Sequence, residues 1–275
     1  MSASITPIKR DSRAASSQAA RNVIEISGVS KTYKTRDGDV PSLRPIDFNV
    51  RDGEFVVVVG PSGCGKTTLL KMLAGLLPPS TGEIRIDGKA ITKPHSGVGI
   101  VFQTAMLLPW RSVFDNVMMP VEVKNLPREV YKKRAQALLD MVGLQGFENK
   151  FPWQLSGGMQ QRASICRALV HDPKIVLMDE PFGALDAMTR ERMNVELQRI
   201  QRETSKTVLL ITHSIPEAVF LANRILVMTE RPGAIAAVYD VPLERPRTLD
   251  VLADPVFIEL SQTIRRHFNA KTDGQ

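Results

Sequence analysis

The segment Glu54 to Val59 ends in four consecutive valines and gives way to Gly60-Pro61-Ser62-Gly63-Cys64-Gly65-Lys66-Thr67. A continuous β-branched run of this length reads as a strand buried on both faces, and helical spacing resumes from Lys66 to Leu76 before Pro78 and Pro79 stop it. A buried strand, a tight glycine turn and a helix in succession restrict the chain to an α/β architecture. The turn fits the pattern G-x-x-x-x-G-K-[ST]. Its glycines let backbone N–H groups curl toward an anion, and the helix N-terminus adds its own positive end. Lys66 supplies charge toward β and γ phosphates, and the Thr67 hydroxyl suits Mg²⁺. The candidate ligand is therefore a nucleoside triphosphate with its magnesium, cradled by Gly60, Pro61, Ser62, Gly63, Cys64, Gly65, Lys66, Thr67 and the following Thr68.

Around this element the pattern changes along the chain. Val23 to Ser27, Lys31 to Thr35 and Ile46 to Val50 alternate apolar and polar residues between turns, as an antiparallel β layer does. Glu83 to Ile86 and Val98 to Phe102 read as further strands. Val113 to Val123 and Arg128 to Val142 then read as helices, so residues 105–165 form an inserted helical subdomain. From Pro173 onward, strands at Ile175 to Met178, Val208 to Ile211 and Ile225 to Met228 alternate with helices near Ala187 to Thr204 and Pro216 to Ala222. A tail helix near Asp254 to Phe268 closes the chain. The expected division is a flexible tail over 1–22, a nucleotide-binding domain over 23–240 and an extension over 241–275.

A second buried run, Ile175-Val176-Leu177-Met178, ends in Asp179-Glu180. Alone, two acids after an apolar run mark no more than a strand end. Beside a phosphate loop they supply what that loop lacks: Asp179 to hold the magnesium and Glu180 to polarise an attacking water.

Composition narrows the partners. The formal charge of +7 is partly concentrated at Lys9, Arg10, Arg13 and Arg21, and aromatic residues make up 5% of the chain. A basic stripe interleaved with aromatic platforms is what nucleic-acid binding favours, and this sequence offers little of either. Cys64 and Cys166 lack metal-ligand spacing and are expected to be reduced thiols. No run approaches the roughly 18 apolar residues of a spanning helix.

Leu155-Ser156-Gly157-Gly158-Met159-Gln160-Gln161-Arg162 resembles the signature segment of the ABC ATPase family. Physically, Ser156 caps a helix that begins at the glycine pair, and its hydroxyl with the neighbouring N–H groups suits a γ phosphate. Other marks fall in the family's order. Gln103 matches the Q-loop, which contacts Mg²⁺ or water and responds to a membrane partner. Ala184-Leu185-Asp186 matches the loop after the acidic strand, with Gly183 in place of the usual Ser. His213 matches the γ-phosphate-sensing histidine, with Ser214 where many members have Asp. Tyr33 matches the aromatic residue that stacks on adenine. The resemblance implies a phosphate-loop NTPase core with an N-terminal antiparallel β layer and an inserted helical subdomain. It further implies a head-to-tail dimer, most simply of identical copies, in which the loop of one copy and Ser156 to Gly158 of the other sandwich ATP.

Leu108-Pro109-Trp110-Arg111, Thr212-His213-Ser214-Ile215-Pro216-Glu217-Ala218 and Arg231-Pro232-Gly233 look like the nitrate, sulfonate and taurine importer branch. That similarity implies separate transmembrane permease subunits, an extracytoplasmic solute-binding protein and a peripheral place on the cytoplasmic face of the membrane. Leu107 to Arg111 is the candidate docking edge, although its apolar residues suit a core equally well. Two other readings compete. An ABC-type ATPase of DNA maintenance would carry a long coiled coil, and no sustained heptad lies between Thr67 and Ser156. A passive nucleotide sensor would keep the same residues and differ in its response to neutralising Glu180.

Overall fold

The structure, a computed structural model, describes residues 21–269. The expected N-terminal tail lies almost wholly outside the described residues. The chain runs β1 (Asn22–Thr35), β2 (Gly38–Arg51), β3 (Phe55–Val59), α1 (Lys66–Leu73), β4 (Thr81–Ile86), β5 (Lys89–Ala90), β6 (Val98–Val101), α2 (Val113–Val123) and α3 (Arg128–Met141). It continues through α4 (Gly157–Leu169), β7 (Ile175–Asp179), α5 (Ala187–Thr204), β8 (Thr207–Thr212), α6 (Ile215–Leu221), β9 (Arg224–Met228), β10 (Ile235–Asp240) and α7 (Pro255–Asn269). Two compact units result, one built from residues 21–95 with 205–269 and the other from Ser96–Thr204.

In the first unit an antiparallel sheet has the order β2-β1-β4-β5. The alternation of Ile24 and Ile26 on β1, Ile46, Phe48 and Val50 on β2, and Ile84 and Ile86 on β4 puts these side chains on one buried face. The sequence pattern separates Val23–Ser27 from Lys31–Thr35, but the two form one strand. Register shifts at Ile26/Val29, Val29/Lys31 and Lys31/Thr32 absorb the break in alternation, which is how bulges keep a strand continuous past a turn-like dipeptide.

The same unit holds a second sheet, in which β3 lies between β8 and β9 and pairs in parallel with both. Every residue of β3 and β8 is buried, as their apolar runs require. β10 adds an antiparallel edge to β9 that the sequence pattern did not reveal. Its Ile-Ala-Ala-Val-Tyr-Asp run has only half-buried residues on its inner side, so the alternation is faint. α1 ends at Leu73, earlier than its spacing suggested. Gly75, at φ +70°, donates to Met72 O at 3.0 Å while Leu76 donates to Lys71 O at 2.9 Å, a left-handed glycine cap that acts ahead of the prolines.

In the second unit β6 pairs in parallel with β7, from Val98 opposite Ile175 to Val101 opposite Met178. α2, α3 and α4 pack on one another through Val113, Val117, Val121, Leu138, Leu139 and Ile165. Arg134, almost fully buried, reaches Asp172 at 3.0 Å and Leu169 O at 3.4 Å, tying α3 to the end of α4. The expected helical segment stops at 165, whereas α4 continues to Leu169.

At the head of β3, Glu54 is buried against Arg224 of β9. Arg224 Nη2 lies 2.8 Å from Glu54 Oε2 and its Nε faces Glu54 Oε1, while Glu54 also accepts from Arg51 N at 2.8 Å. Removing one partner leaves the other charge stranded, at a cost of about 3–5 kcal/mol. Glu54→Ala is expected to lower Tm by about 10 °C in a thermal melt, and Glu54→Asp less. An unchanged Tm for the alanine variant would contradict the assignment of this pair as structural.

Candidate functional site

The phosphate loop emerges from the buried end of β3. Gly63 and Gly65 have φ of +75° and +105°, and Gly65 forms the N-cap of α1. These backbone turns place Ser62, Gly63 and Thr67 at the surface and Cys64 and Lys66 inside. Lys66 Nζ donates to Gly60 O at 2.8 Å and Pro61 O at 2.7 Å, so the ammonium is held over the loop by the loop's own carbonyls. Burial pushes the Cys64 thiol pKa up, against the opposing charge of Lys66. Cys64 thus offers no side chain to a ligand.

The loop is held from behind. Gly233 donates to Ser42 O at 2.9 Å and accepts from Arg44 N at 2.8 Å, bridging the segment after β9 to β2. A Cβ on Gly233 would stand 2.0 Å from Cys64 O, and one on Gly65 would stand 2.7 Å from Leu43 Cδ2. Thr68 Oγ1 lies 3.2 Å from the Tyr33 hydroxyl and 3.4 Å from Ser42 Oγ, which fixes the Tyr33 ring beside the first turn of α1. Sequence reasoning missed this brace. Its only signal was Arg231-Pro232-Gly233, read there as a mark of resemblance and not as a support.

His213 is exposed at the end of β8 in the same unit. Its neighbour Ser214 is committed to the N-cap of α6: Ser214 Oγ accepts from Glu217 N at 3.4 Å, and Ser214 N donates to Thr212 Oγ1 at 3.0 Å. Thr212 in turn donates to the buried Glu217 at 3.2 Å. The strand end and the helix start that flank His213 are therefore joined by a short polar network.

The second unit contains the other predicted residues. Asp179 is buried as the last residue of β7, and Glu180 follows at φ +44°, a left-handed conformation uncommon for a residue with a side chain. Gln103 Nε2 donates to Glu180 Oε2 at 3.2 Å, so the expected water-polarising carboxylate and the Q-loop amide are brought together. Ser156 caps α4 by accepting from Met159 N at 3.3 Å, with Ser156 and Gly157 exposed. Asp186 has a different setting. Its carboxylate accepts from Thr189 N at 3.0 Å at the start of α5, and hydrogen bonding by the Thr189 side chain, with that backbone bond, holds its pKa below the ordinary carboxylate value. A helix cap accounts for it among the described residues.

Two residues of α4 that sequence reasoning passed over frame Gln103. Gln161 Nε2 donates to Phe102 O at 2.9 Å on one side. On the other, Arg167 donates to Ala105 O at 2.7 Å and Met106 O at 2.8 Å. Their spacing of six on one helix carries no recognisable signal, because the partners are main-chain carbonyls. Further along the same segment Trp110 is 69% exposed, Leu107 and Leu108 are half-buried, and Arg111 pairs with Glu122 at 2.7 Å.

The family model described as ABC transporter matches residues 43–183, just over half the chain and a span that includes the loop, Gln103, the Ser156 helix, Asp179 and Glu180. The chain belongs to the ABC transporter family. This cassette is 44% identical over 257 residues to the taurine import ATP-binding protein TauB of Rhizobium johnstonii, covering 91% of this chain and 98% of that one. It is 43% identical over 249 residues to the bicarbonate transport ATP-binding protein CmpD of Synechocystis sp., covering 89% and 88%. Among solved structures it resembles an ATP-binding cassette dimer in a post-hydrolysis state with ADP and phosphate bound, at a TM-score of 0.73 and 34% identity, covering 80% of this chain and all of that one. The cassette is an ATPase whose nucleotide hydrolysis is coupled to transport.

The brace behind the loop makes a specific prediction. Gly233→Ala forces Cys64 O to move, and is expected to weaken ATP affinity at least tenfold in a fluorescent-nucleotide titration while the far-ultraviolet circular dichroism stays unchanged. Native affinity in this variant would mean that the loop does not depend on Gly233.

Proposed function

We propose that two copies of the cassette bind two MgATP head to tail, closing on binding and separating after hydrolysis, and that this cycle powers import of a small solute through transmembrane permease subunits. One observation carries the reading: each compact unit presents its own phosphate-type helix start, α1 behind the glycine loop in one and α4 behind exposed Ser156 and Gly157 in the other. In this arrangement Gly63, Gly65, Lys66, Thr67 and Thr68 of one copy hold the triphosphate, and Ser156, Gly157 and Gly158 of the second copy complete the wall. Tyr33 supplies the flat surface for adenine. The dimeric form of the similar solved cassette supports this order.

Thr67, Gln103 and Asp179 are the proposed magnesium residues. Their donors are a hydroxyl, an amide carbonyl and a carboxylate, all hard oxygens of the kind Mg²⁺ takes while keeping several waters. The ion would neutralise charge on the phosphate oxygens. Glu180 orients the attacking water, His213 contacts the γ phosphate, and Gln103 reports occupancy outward. Residues 23–240 are the proposed catalytic domain, with the helical insertion within 105–165 and an extension over 241–275.

Exposed Trp110, with Arg111 beside it, is the proposed permease-docking edge. Among the described residues no helix is long and apolar enough to cross a membrane, which suits a subunit held peripherally on the cytoplasmic face by its partners. Taurine, a sulfonate, nitrate or a related small solute, delivered by an extracytoplasmic binding protein, is the proposed cargo. The names of the similar import proteins, taurine and bicarbonate at nearly equal identity, support the class and not one member.

Glu180→Gln is expected to bind ATP, lose at least 99% of turnover, and run as a dimer in light scattering with ATP present, whereas the native chain returns to monomer as ATP is consumed. A Glu180→Gln chain that stays monomeric at saturating ATP would refute the sandwich and favour a passive sensor. Trp110→Ala is expected to reduce co-purification with the permease while ATP affinity is kept. The reverse pattern would remove Trp110 from the docking edge.

A further inference from the structure

The catalytic reading leaves the C-terminal helix without a role. α7 is anchored by buried Phe257 and Ile264, and its last turn is held to β10 by His267, whose Nε2 lies 2.6 Å from the Tyr239 hydroxyl. The His267 ring also meets the Tyr239 ring edge-on at 5.8 Å. His267 and Phe268 also line a pocket of about 380 Å³, wholly within the first unit. Arg44, Pro61, Met228, Pro232 and Ala236 line it with them. The volume is near the small end of the range for sites that enclose organic molecules, roughly 300–1,000 Å³.

The chemistry of the walls is lopsided. Arg44 and Arg231 both line the pocket, with Glu230 the one carboxylate. Arg231 uses only its Nε, donating to Pro41 O at 3.2 Å, and the Arg44 side chain has no hydrogen bond or ion pair among the described residues. Neither guanidinium pairs with Glu230. Two planar guanidinium forks beside apolar lining residues match a carboxylate or similar oxyanion attached to a short hydrocarbon body. A bare inorganic anion would leave Met228, Pro232, Ala236 and Phe268 uncovered, and a cation would meet net positive charge.

We propose that this pocket is a binding site for a small organic anion, separate from the nucleotide site, whose occupancy is felt at the phosphate loop through Pro61. The link is direct. Pro61 lines the pocket, and its carbonyl accepts from Lys66 Nζ at 2.7 Å. An occupant pressed against Pro61 therefore bears on the carbonyl that holds the loop lysine in place.

The test uses the full chain and three probes in isothermal titration: hexanoate, hexylammonium and inorganic sulfate. Hexanoate is expected to bind saturably with one site per chain in the millimolar range or tighter, sulfate at least tenfold more weakly, and hexylammonium not at all. Arg231→Gln and Arg44→Gln are each expected to weaken hexanoate about tenfold, the scale of a lost charged hydrogen bond. Ala236→Leu, which fills part of the pocket without touching a charge, is expected to abolish it. Lys66→Ala is expected to leave hexanoate binding intact, and saturating ATP to change its affinity without displacing it, by the same factor by which hexanoate changes ATP affinity; hexanoate is expected to shift the KM for ATP of the native chain and not of Ala236→Leu. Binding that vanishes in Lys66→Ala would place the anion at the nucleotide loop and overturn the proposal, as would equal binding of hexylammonium or indifference to all three pocket variants. Saturable binding with no change in KM would overturn the link through Pro61.

Discussion

The phosphate loop can wrap an anion because its outer surface is closed by main chain. Gly233 inserts between Ser42 and Arg44 with a backbone hydrogen bond on each side, and it lies against Cys64 where a methyl group would not fit. Pairing main chain with main chain removes the conformational freedom that a six-residue glycine-bearing turn would otherwise retain. Both sheets of the first unit are needed for it, since β2 leads into it from one and β9 from the other. The parallel valine strand, the helix start and the lysine then need only follow from the loop's fixed ends.

Inside that frame the loop satisfies itself. Lys66 is buried, and two carbonyls accept hydrogen bonds from its Nζ there, as a buried polar group requires. A triphosphate offers the same ammonium a stronger partner. In the proposed nucleotide complex the phosphate oxygens would compete with the carbonyls of Gly60 and Pro61 for that ammonium. The side chains around His213 follow similar logic, with Thr212, Ser214 and Glu217 satisfying one another at the strand-to-helix junction and leaving the imidazole at the surface.

Much of this was legible in the residues. The valine run forms a buried strand that ends in the glycine turn, the acidic pair lies at the end of a second buried strand, and Ser156 caps the helix that its position before two glycines announces. What was hidden depends on main-chain partners far away in sequence. Gly233 reads as a turn residue until Cys64 O is seen beside it, and Gln161 and Arg167 read as a solvated helix face until their carbonyl acceptors are known. Asp186, which the resemblance assigns to the nucleotide, also caps the start of α5 through Thr189. β10 is faint in the sequence because an edge strand with half-buried residues lacks the alternation that marks a core strand, and α1 stops early because the left-handed Gly75 acts before the prolines.

Gln161 and Arg167 grip the chain on either side of Gln103, and both belong to the helix that Ser156 begins. With about 16 Å of helix rise between Ser156 and Arg167, the grips on either side of Gln103 and the serine at the helix start are carried on one continuous rod.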